Sequence, residues 1–398
     1  MDEFRVIATD EELAEAVVRL SGGTGPIAVD AERASGFRYS QRAYLIQLFR
    51  RDAGTFLIDP PAISDFSAVQ AAIADEEWVL HAASQDLACL REVGLDPTRI
   101  FDTELAARLL GMPRVGLAAV VEELLGIRLA KEHSASDWST RPLPPAWLEY
   151  AALDVELLVD VRDGLVERLA DQGKTDLANQ EFEAVLHREA KPASAEPWRR
   201  LSGIHSLRSP KNLAVARALW HARDQRAAEL DVSPGRLVPD GSILAVARSL
   251  PGTRRALADL REFTGRASRS ELDRWWQAVE AGLADAEPPA TRVPSDAPPP
   301  PRAWAARDPE ADARLRLARQ SVTDAAEEFG MPVENLLTPD LLRRVAWRPP
   351  AESSVESIRT ALAGLGARPW QVDATAQRIA EAFVSASQTV EDATSTPS

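Results

Sequence analysis

Five side chains of kinds that handle metal ions and water stand out in this sequence: Asp30, Glu32, Asp86, Tyr150 and Asp154. The segment IAVDAE (27–32) reads as a short buried strand ending in two carboxylates. Side chains alternate along a strand, so Asp30 and Glu32 project from one face. Like charges that close are unfavourable unless a positive charge lies between them, and a divalent cation is the usual answer. Acids at strand ends also serve as turn chemistry, so the D-x-E pair alone leaves metal site and turn both open. Asp86 falls just inside a helix start, after the apolar stretch WVLHAA (78–83), where the helix dipole favours an acid without any catalysis. Asp154 follows Tyr150 by four residues on a helical pattern, so the two share a face with the packing residues Leu157, Leu158 and Val161. A charged carboxylate beside a packing face needs a partner or a metal.

The elements that must position these groups read as follows. Residues 4–8 form a short strand, and Thr9 with Glu12 is a capping box opening a helix through about Leu20. Gly22, Gly23 and Gly25 break the chain before the acidic strand; AYLIQLF (43–49) and TFLI (55–58) follow as strands, giving an antiparallel meander. A helix over 64–74 and a strand over 78–83 come next, then a helix with Ser84 as N-cap and Gly94 as its stop. Further helices open at 101–105 and 117–125. The polar stretch SASDWSTR (134–141) is irregular, and Pro144 and Pro145 lead into one long helix over 147–170, followed by a last one over 176–189. This is an α/β or α+β domain of roughly 190 residues.

The chain has 398 residues, enough for two or three domains. Cys89 is the only cysteine, which excludes intramolecular disulfides and cysteine-based zinc sites and suits a reducing cytoplasm. The acidic N-terminus lacks a signal-peptide core and no run of about 18 apolar residues occurs, so a cytoplasmic protein with no membrane partner is expected. The net charge of −15 argues against a polyanionic partner only if it is evenly spread. It is not: residues 198–283 hold 15 Lys and Arg against 9 Asp and Glu, a net of +6. That segment is helical by pattern, follows the linker KPASAEP (191–197), and is separated by a spacer with seven prolines (286–303) from further helical patterns over 307–385. GRLVPDGSILAVAR (235–248) and ENLLTPDLLRRVAW (334–347) share an apolar pair, Pro-Asp and an amphipathic helix, a diverged internal repeat. Among the remaining groups, Asp102 reads as a helix cap or a support for the site, His81 and His133 as structural, and Cys89 as core. The GGTG turn (22–25) lacks the Lys-Ser/Thr of a phosphate loop, so no nucleotide cofactor is expected.

The order D-x-E on a first strand, Asp after a later strand and Y-x-x-x-D on a late helix resembles the three exonuclease motifs of the DEDD superfamily in its tyrosine-bearing branch. VDAERASGFRYSQRAYLIQL, VLHAASQDLACL with FDTELAARLLG, and SDWSTRPLPPAWLEYAALD are all similar to ribonuclease D. The resemblance implies a ribonuclease H-like exonuclease domain with a mixed sheet over 1–190, followed by two small all-helical HRDC-type domains. These would span 198–283 and 307–385, with a Pro-rich linker over 284–306 and a disordered tail over 386–398. It also implies 3′→5′ exoribonuclease activity on RNA with a free 3′ end, such as transfer-RNA precursors, releasing nucleoside 5′-monophosphates with two Mg²⁺ or Mn²⁺ ions. In that scheme Asp30 bridges both ions, Glu32 and Asp154 complete the nucleophile's ion, Asp86 holds the second, and Tyr150 aims the attacking water. The basic module would contact phosphates through Arg199, Arg200, Arg208, Lys211, Arg217, Arg223 and Arg226. A 3′→5′ DNA exonuclease and a non-catalytic nucleic-acid-binding protein on the same fold are the alternatives.

Overall fold

A computed structural model of the chain describes residues 4–395 except 130–132, 134, 190, 191, 193, 264, 294 and 295, with side chains as far as 388. The N-terminal domain is organised on a sheet of six strands in the order β1-β4-β3-β2-β5-β6. The strands are β1 (Val6–Ile7), β2 (Thr24–Arg33), β3 (Ala43–Arg51), β4 (Gly54–Ile58), β5 (Trp78–Leu80) and β6 (Ile100–Asp102). Strands β2, β3 and β4 form the expected antiparallel meander. The other strands join in parallel, β1 on β4 and β5 on β2 with β6 beyond it, so the sheet is mixed. Around it lie α1 (Asp10–Ser21), α2 (Ser67–Ile73), α3 (Leu87–Glu92), α4 (Thr103–Leu109), α5 (Leu117–Leu125), α6 (Pro145–Glu156), α7 (Leu158–Asp171) and α8 (Thr175–Leu186). Helices on both faces explain the unbroken apolar run in β2, where Ile27, Ala28 and Val29 are fully buried.

Two local expectations change. The single helix expected over 147–170 is broken at Leu157, where α6 ends and α7 begins. The break lets one apolar stripe serve two cores. Leu148, Ala151 and Ala152 of α6 pack with Leu45 and Trp138, while Leu158, Val161 and Leu165 of α7 join the main core. Ser84 does not cap a helix: Ala83–Gln85 form a 3₁₀ turn, and α3 starts only at Leu87.

The first helical module runs from α9 (Pro210–Leu230) through α10 (Pro234–Leu237), α11 (Asp240–Ser249), α12 (Arg254–Ala258) and α13 (Arg266–Ser270) to α14 (Leu272–Leu283). Its separate core is built on Trp198, Phe263 and Trp275. The second comprises α15 (Trp304–Arg307), α16 (Pro309–Glu328), α17 (Val333–Leu336), α18 (Pro339–Trp347), α19 (Val355–Gly364) and α20 (Pro369–Ser395). The sequence repeat has a structural counterpart. In each module a long helix is followed by a single-turn helix and then an amphipathic one. A buried arginine of the long helix also reaches a carbonyl beyond: Arg223 to Val238 at 2.7 Å, Arg314 to Ala346 at 3.1 Å. The tail expected to be disordered from 386 instead begins inside α20, because Ala386 is buried on the same stripe as Ile379 and Phe383. Residues 396–398 lie outside the described residues. No helix among the described residues is long and apolar enough to cross a membrane.

The second module shares its apolar core with the N-terminal domain. Glu181 on α8, only 6% exposed, accepts from the Arg368 guanidinium and, at 2.9 Å, from Trp370 Nε1. Lys174 Nζ donates to Leu109 O at 2.7 Å and to Gly330 O at 3.3 Å. Removing the carboxylate leaves a partly solvated Arg368 and a buried Trp370 Nε1 without its acceptor, which typically costs about 1–3 kcal/mol. Glu181→Ala should therefore lower the unfolding free energy by about that amount in urea titrations, and Glu181→Gln, which keeps an acceptor for Trp370, by less.

Candidate active site

Strand β2 delivers Asp30 and Glu32 from one face, and α6 brings Asp154 to them; one carboxylate oxygen of each lies within 4.8 Å of the others. Asp30 sits opposite Gln47 and Glu32 opposite Leu45 in the β2–β3 register, and the register shifts directly after Glu32. A bulge of this kind ends the pairing and redirects the chain at a site. Asp86 arrives by another route. After β5 the chain turns through Ala82, whose φ of +61° is a left-handed conformation unfavourable for a side chain with a Cβ. Asp102 holds that turn: its carboxylate accepts from Ala82 N at 3.1 Å and Ala83 N at 2.9 Å, while capping α4 through Leu105 N at 3.1 Å. It thus serves both roles read from the sequence, cap and support.

Tyr150 lies one helical turn before Asp154, on the same face of α6. Its ring centroid lies 6.5 Å from that of Trp138, whose segment is pinned by Arg141. That guanidinium bonds Trp138 O and Tyr44 O, each at 2.7 Å, and the Asp59 carboxylate. So the polar stretch 135–141, irregular as expected, is tied to β3 and buttresses the tyrosine, while Ser134 lies outside the described residues. The four acids and Tyr150 line one cavity of roughly 1020 Å³, together with Arg33, Phe37, His81, Arg114 and Arg128.

Burial of like charges dominates the electrostatics. Desolvation first and the neighbouring acids second push Glu32 up to about 10, Asp86 to about 8 and Asp154 to about 7. Burial also raises Asp30 above the usual carboxylate range. Arg33, 3.8 Å from Asp86, is a partial counter-charge. Four such groups cannot all ionise near neutral pH unless cations join them. Their all-oxygen donor set fits hard divalent ions such as Mg²⁺ or Mn²⁺. Tyr150 is also raised, by burial, then by Asp154 and Glu32, so its hydroxyl keeps its proton at neutral pH.

His81 bonds Thr103 Oγ1 at 2.9 Å, and burial lowers it to about 4, which keeps it neutral. Burial pushes the Cys89 thiol up to about 12, so it is unreactive core. The basic residues of the first module divide. Arg199 pairs with Glu196, Arg217 with Asp285, Arg226 with Glu229 and Glu271, and the buried Arg223 with Asp240. Arg200, Arg208 and Lys211 are exposed, and no acidic partner is seen for them among the described residues. Charge counting could not separate the two sets: Glu196 and Glu229 lie three residues from Arg199 and Arg226, but Asp240, Glu271 and Asp285 come from distant turns. It also missed Arg33, Arg114 and Arg128 at the cavity. Of these only Arg33 carried a signal, its place next to Glu32. Gln47, fully buried opposite Asp30 with neither amide atom hydrogen-bonded, was legible only from strand register.

Comparison with known proteins agrees with this geometry. Residues 4–170 match the 3′-5′ exonuclease family, 212–279 the HRDC domain, and 297–383 the 3′ to 5′ exonuclease C-terminal domain. Ribonuclease D of Pseudomonas paraeruginosa is 32% identical over 293 residues, 72% of this chain and 75% of that protein. The crystal structure of a protein from Bifidobacterium adolescentis superposes with a TM-score of 0.89 at 36% identity, covering 96% of this chain and 97% of the other. The structure of Escherichia coli RNase D, described as an exoribonuclease involved in structured RNA processing, gives 0.67 at 26% identity over 91% of this chain and 98% of its own.

The acid cluster has a measurable consequence for stability. A carboxyl whose folded pKa is raised keeps its proton in the folded protein while the unfolded chain releases it, so stability falls as pH rises between the two values. For Glu32 that window runs from its ordinary 4.5 to about 10, and for Asp86 from 3.8 to about 8. Metal-free protein should lose thermal stability across this range. Asp30→Asn should raise the metal-free Tm by a few degrees at pH 8 and flatten the pH dependence, as read by calorimetry in EDTA.

Proposed function

The chain belongs to the ribonuclease D family of 3′→5′ exoribonucleases, and on that premise we propose that it trims the 3′ ends of structured RNAs, transfer-RNA precursors among them, in the cytoplasm. The observation that carries this reading is the meeting of Asp30, Glu32 and Asp154 within 4.8 Å, with Asp86 and Tyr150 in the same cavity. Asp30 would serve both of two divalent ions, Glu32 and Asp154 would hold one of them and Asp86 the other. Such a pair supplies an activated water and a stabilised leaving oxygen. Tyr150, protonated and one helical turn from Asp154, aims the water at the phosphorus of the last phosphodiester. The water's oxygen bonds to phosphorus, the 3′ oxygen of the preceding nucleotide leaves and takes up a proton, and the terminal residue departs as a nucleoside 5′-monophosphate.

The chain's own charges steer the strand. The acidic floor of the cavity would repel a polyanion, and Arg33, Arg114 and Arg128 on its walls offset that repulsion. Arg114 and Arg128 reach towards the shared Glu122, at 3.5 and 2.9 Å, and their exposed guanidiniums keep capacity for phosphate oxygens. On the first module, the exposed Arg200, Arg208 and Lys211 are better suited to phosphate contacts than its ion-paired arginines.

Asp154→Asn should abolish shortening of a 3′-tailed RNA at every Mn²⁺ concentration, while the wild type shortens it by single nucleotides. Undiminished shortening by that variant would sink the assignment, and faster shortening of a matched DNA oligomer would favour the DNA exonuclease instead. Replacing Arg114 and Arg128 together by Ala should raise KM. It should also flatten the dependence of log KM on log salt by about 0.7 for each phosphate that the variant no longer neutralises.

A further inference from the structure

One wall of the active-site cavity is held jointly by the nuclease domain and by the first helical module. Residues 34–42 connect β2, which carries Asp30 and Glu32, to β3, and Ser35, Gly36 and Phe37 from this loop line the cavity. On the nuclease side, Phe37 N and Arg38 N donate to Ala34 O, Gln41 Nε2 donates to Tyr39 O at 3.2 Å, Arg38 Nε donates to Ser139 Oγ at 2.8 Å, and Phe37 packs against the core around Trp138. The next polar groups along it are satisfied by the first helical module. Ser233 N donates to Phe37 O at 2.9 Å, and Arg236 Nε to Gly36 O at 2.8 Å. The Arg236 guanidinium also lies over the Phe37 ring, 4.1 Å from its centroid. Asp231, at the left-handed end of α9 with a φ of +46°, accepts from Tyr39 N at 3.1 Å and Ser40 N at 2.9 Å through one oxygen. Its other oxygen accepts from Tyr44 OH at 3.2 Å. Tyr39 OH donates to Asp224, 3.2 Å away.

Four backbone polar groups of a cavity-lining loop, Gly36 O, Phe37 O, Tyr39 N and Ser40 N, are therefore fixed by three residues of another module, Ser233, Arg236 and Asp231. We propose that Asp231 and Arg236 are positioning residues for the nuclease: they set the loop 34–42, and through it the cavity wall at Phe37 and the exit of the strand bearing the metal-binding acids. The helical module then does more than attract RNA. It completes the catalytic pocket, so its removal or opening slows the chemical step even for substrates too short to touch its outer surface. This inference rests on the nuclease reading of the cavity, but it concerns the module's contribution alone.

The test compares full-length protein with Asp231→Ala and Arg236→Ala, using a four-nucleotide RNA under saturating conditions together with amide hydrogen exchange. A misplaced wall costs turnover, so kcat should fall roughly 10- to 100-fold while KM moves less than about 3-fold. Peptides covering 36–42 should exchange faster in both variants, and the exposed control Arg255→Ala should match wild type in both measurements. Asp231→Asn, which keeps an acceptor for the two amides, should recover most of kcat, which a general loss of folding would not allow. If Asp231→Ala does not fold, Arg236→Ala and Asp231→Asn carry the comparison. Unchanged exchange over 36–42, or faster exchange with unchanged kcat, overturns the proposal. A wild-type protein that fails to shorten the tetramer counts against the nuclease reading, while the exchange comparison still decides whether the loop is held.

Discussion

Mutual repulsion among buried carboxylates is the constraint that everything else in this molecule answers to. Asp30, Glu32 and Asp154 meet within 4.8 Å, and Asp86 lies beside them with one guanidinium, that of Arg33, close by. Such a cluster costs folding free energy in the absence of cations, so it persists only where stiff surroundings hold it. The surroundings are stiff: β2 is fully buried before the acids, α6 is packed by Ala151 and Ala152, and a strained Ala82 is tied down by Asp102. The same destabilisation would favour binding of divalent ions, since binding would relieve what folding had to tolerate.

Much of this was legible in the sequence because it depends on short-range periodicity. A two-residue step along a strand places Asp30 beside Glu32, and a four-residue step along a helix places Tyr150 beside Asp154. Meander, mixed sheet and the helical modules follow from similar patterns, and the Pro-Asp repeat anticipated the matching order of α9 to α11 and α16 to α18. What escaped depended on tertiary packing. The bend at Leu157 arises because α6 and α7 face different cores, a choice the apolar stripe alone does not contain. Ala386 looked like the start of a polar tail because its neighbours are small and polar, yet it finishes a stripe set by Phe383. Charge counts marked the first module as basic without revealing that Arg199, Arg217, Arg223 and Arg226 spend their charge on acids the fold brings beside them.

The modules also differ in how they meet the nuclease. The second is joined through a shared apolar core and the buried Glu181, an arrangement suited to permanence. The first keeps its own core and touches the nuclease largely through hydrogen bonds and ring contacts around one loop. Polar, half-exposed contacts of that kind are held in place by geometry more than by burial, and they transmit small displacements directly to the backbone they hold.

That distance along the chain sets an order in time. Tyr39 and Asp231 are separated by 192 residues. At about 5–20 residues per second of synthesis, the loop leaves the ribosome roughly 10–40 s before the side chain that secures it. A newly made N-terminal domain thus waits, with its pocket unfinished, until the first helical module has emerged behind it. For a protein that consumes RNA from its ends, that delay keeps the nascent enzyme from full competence while it is still beside its own message.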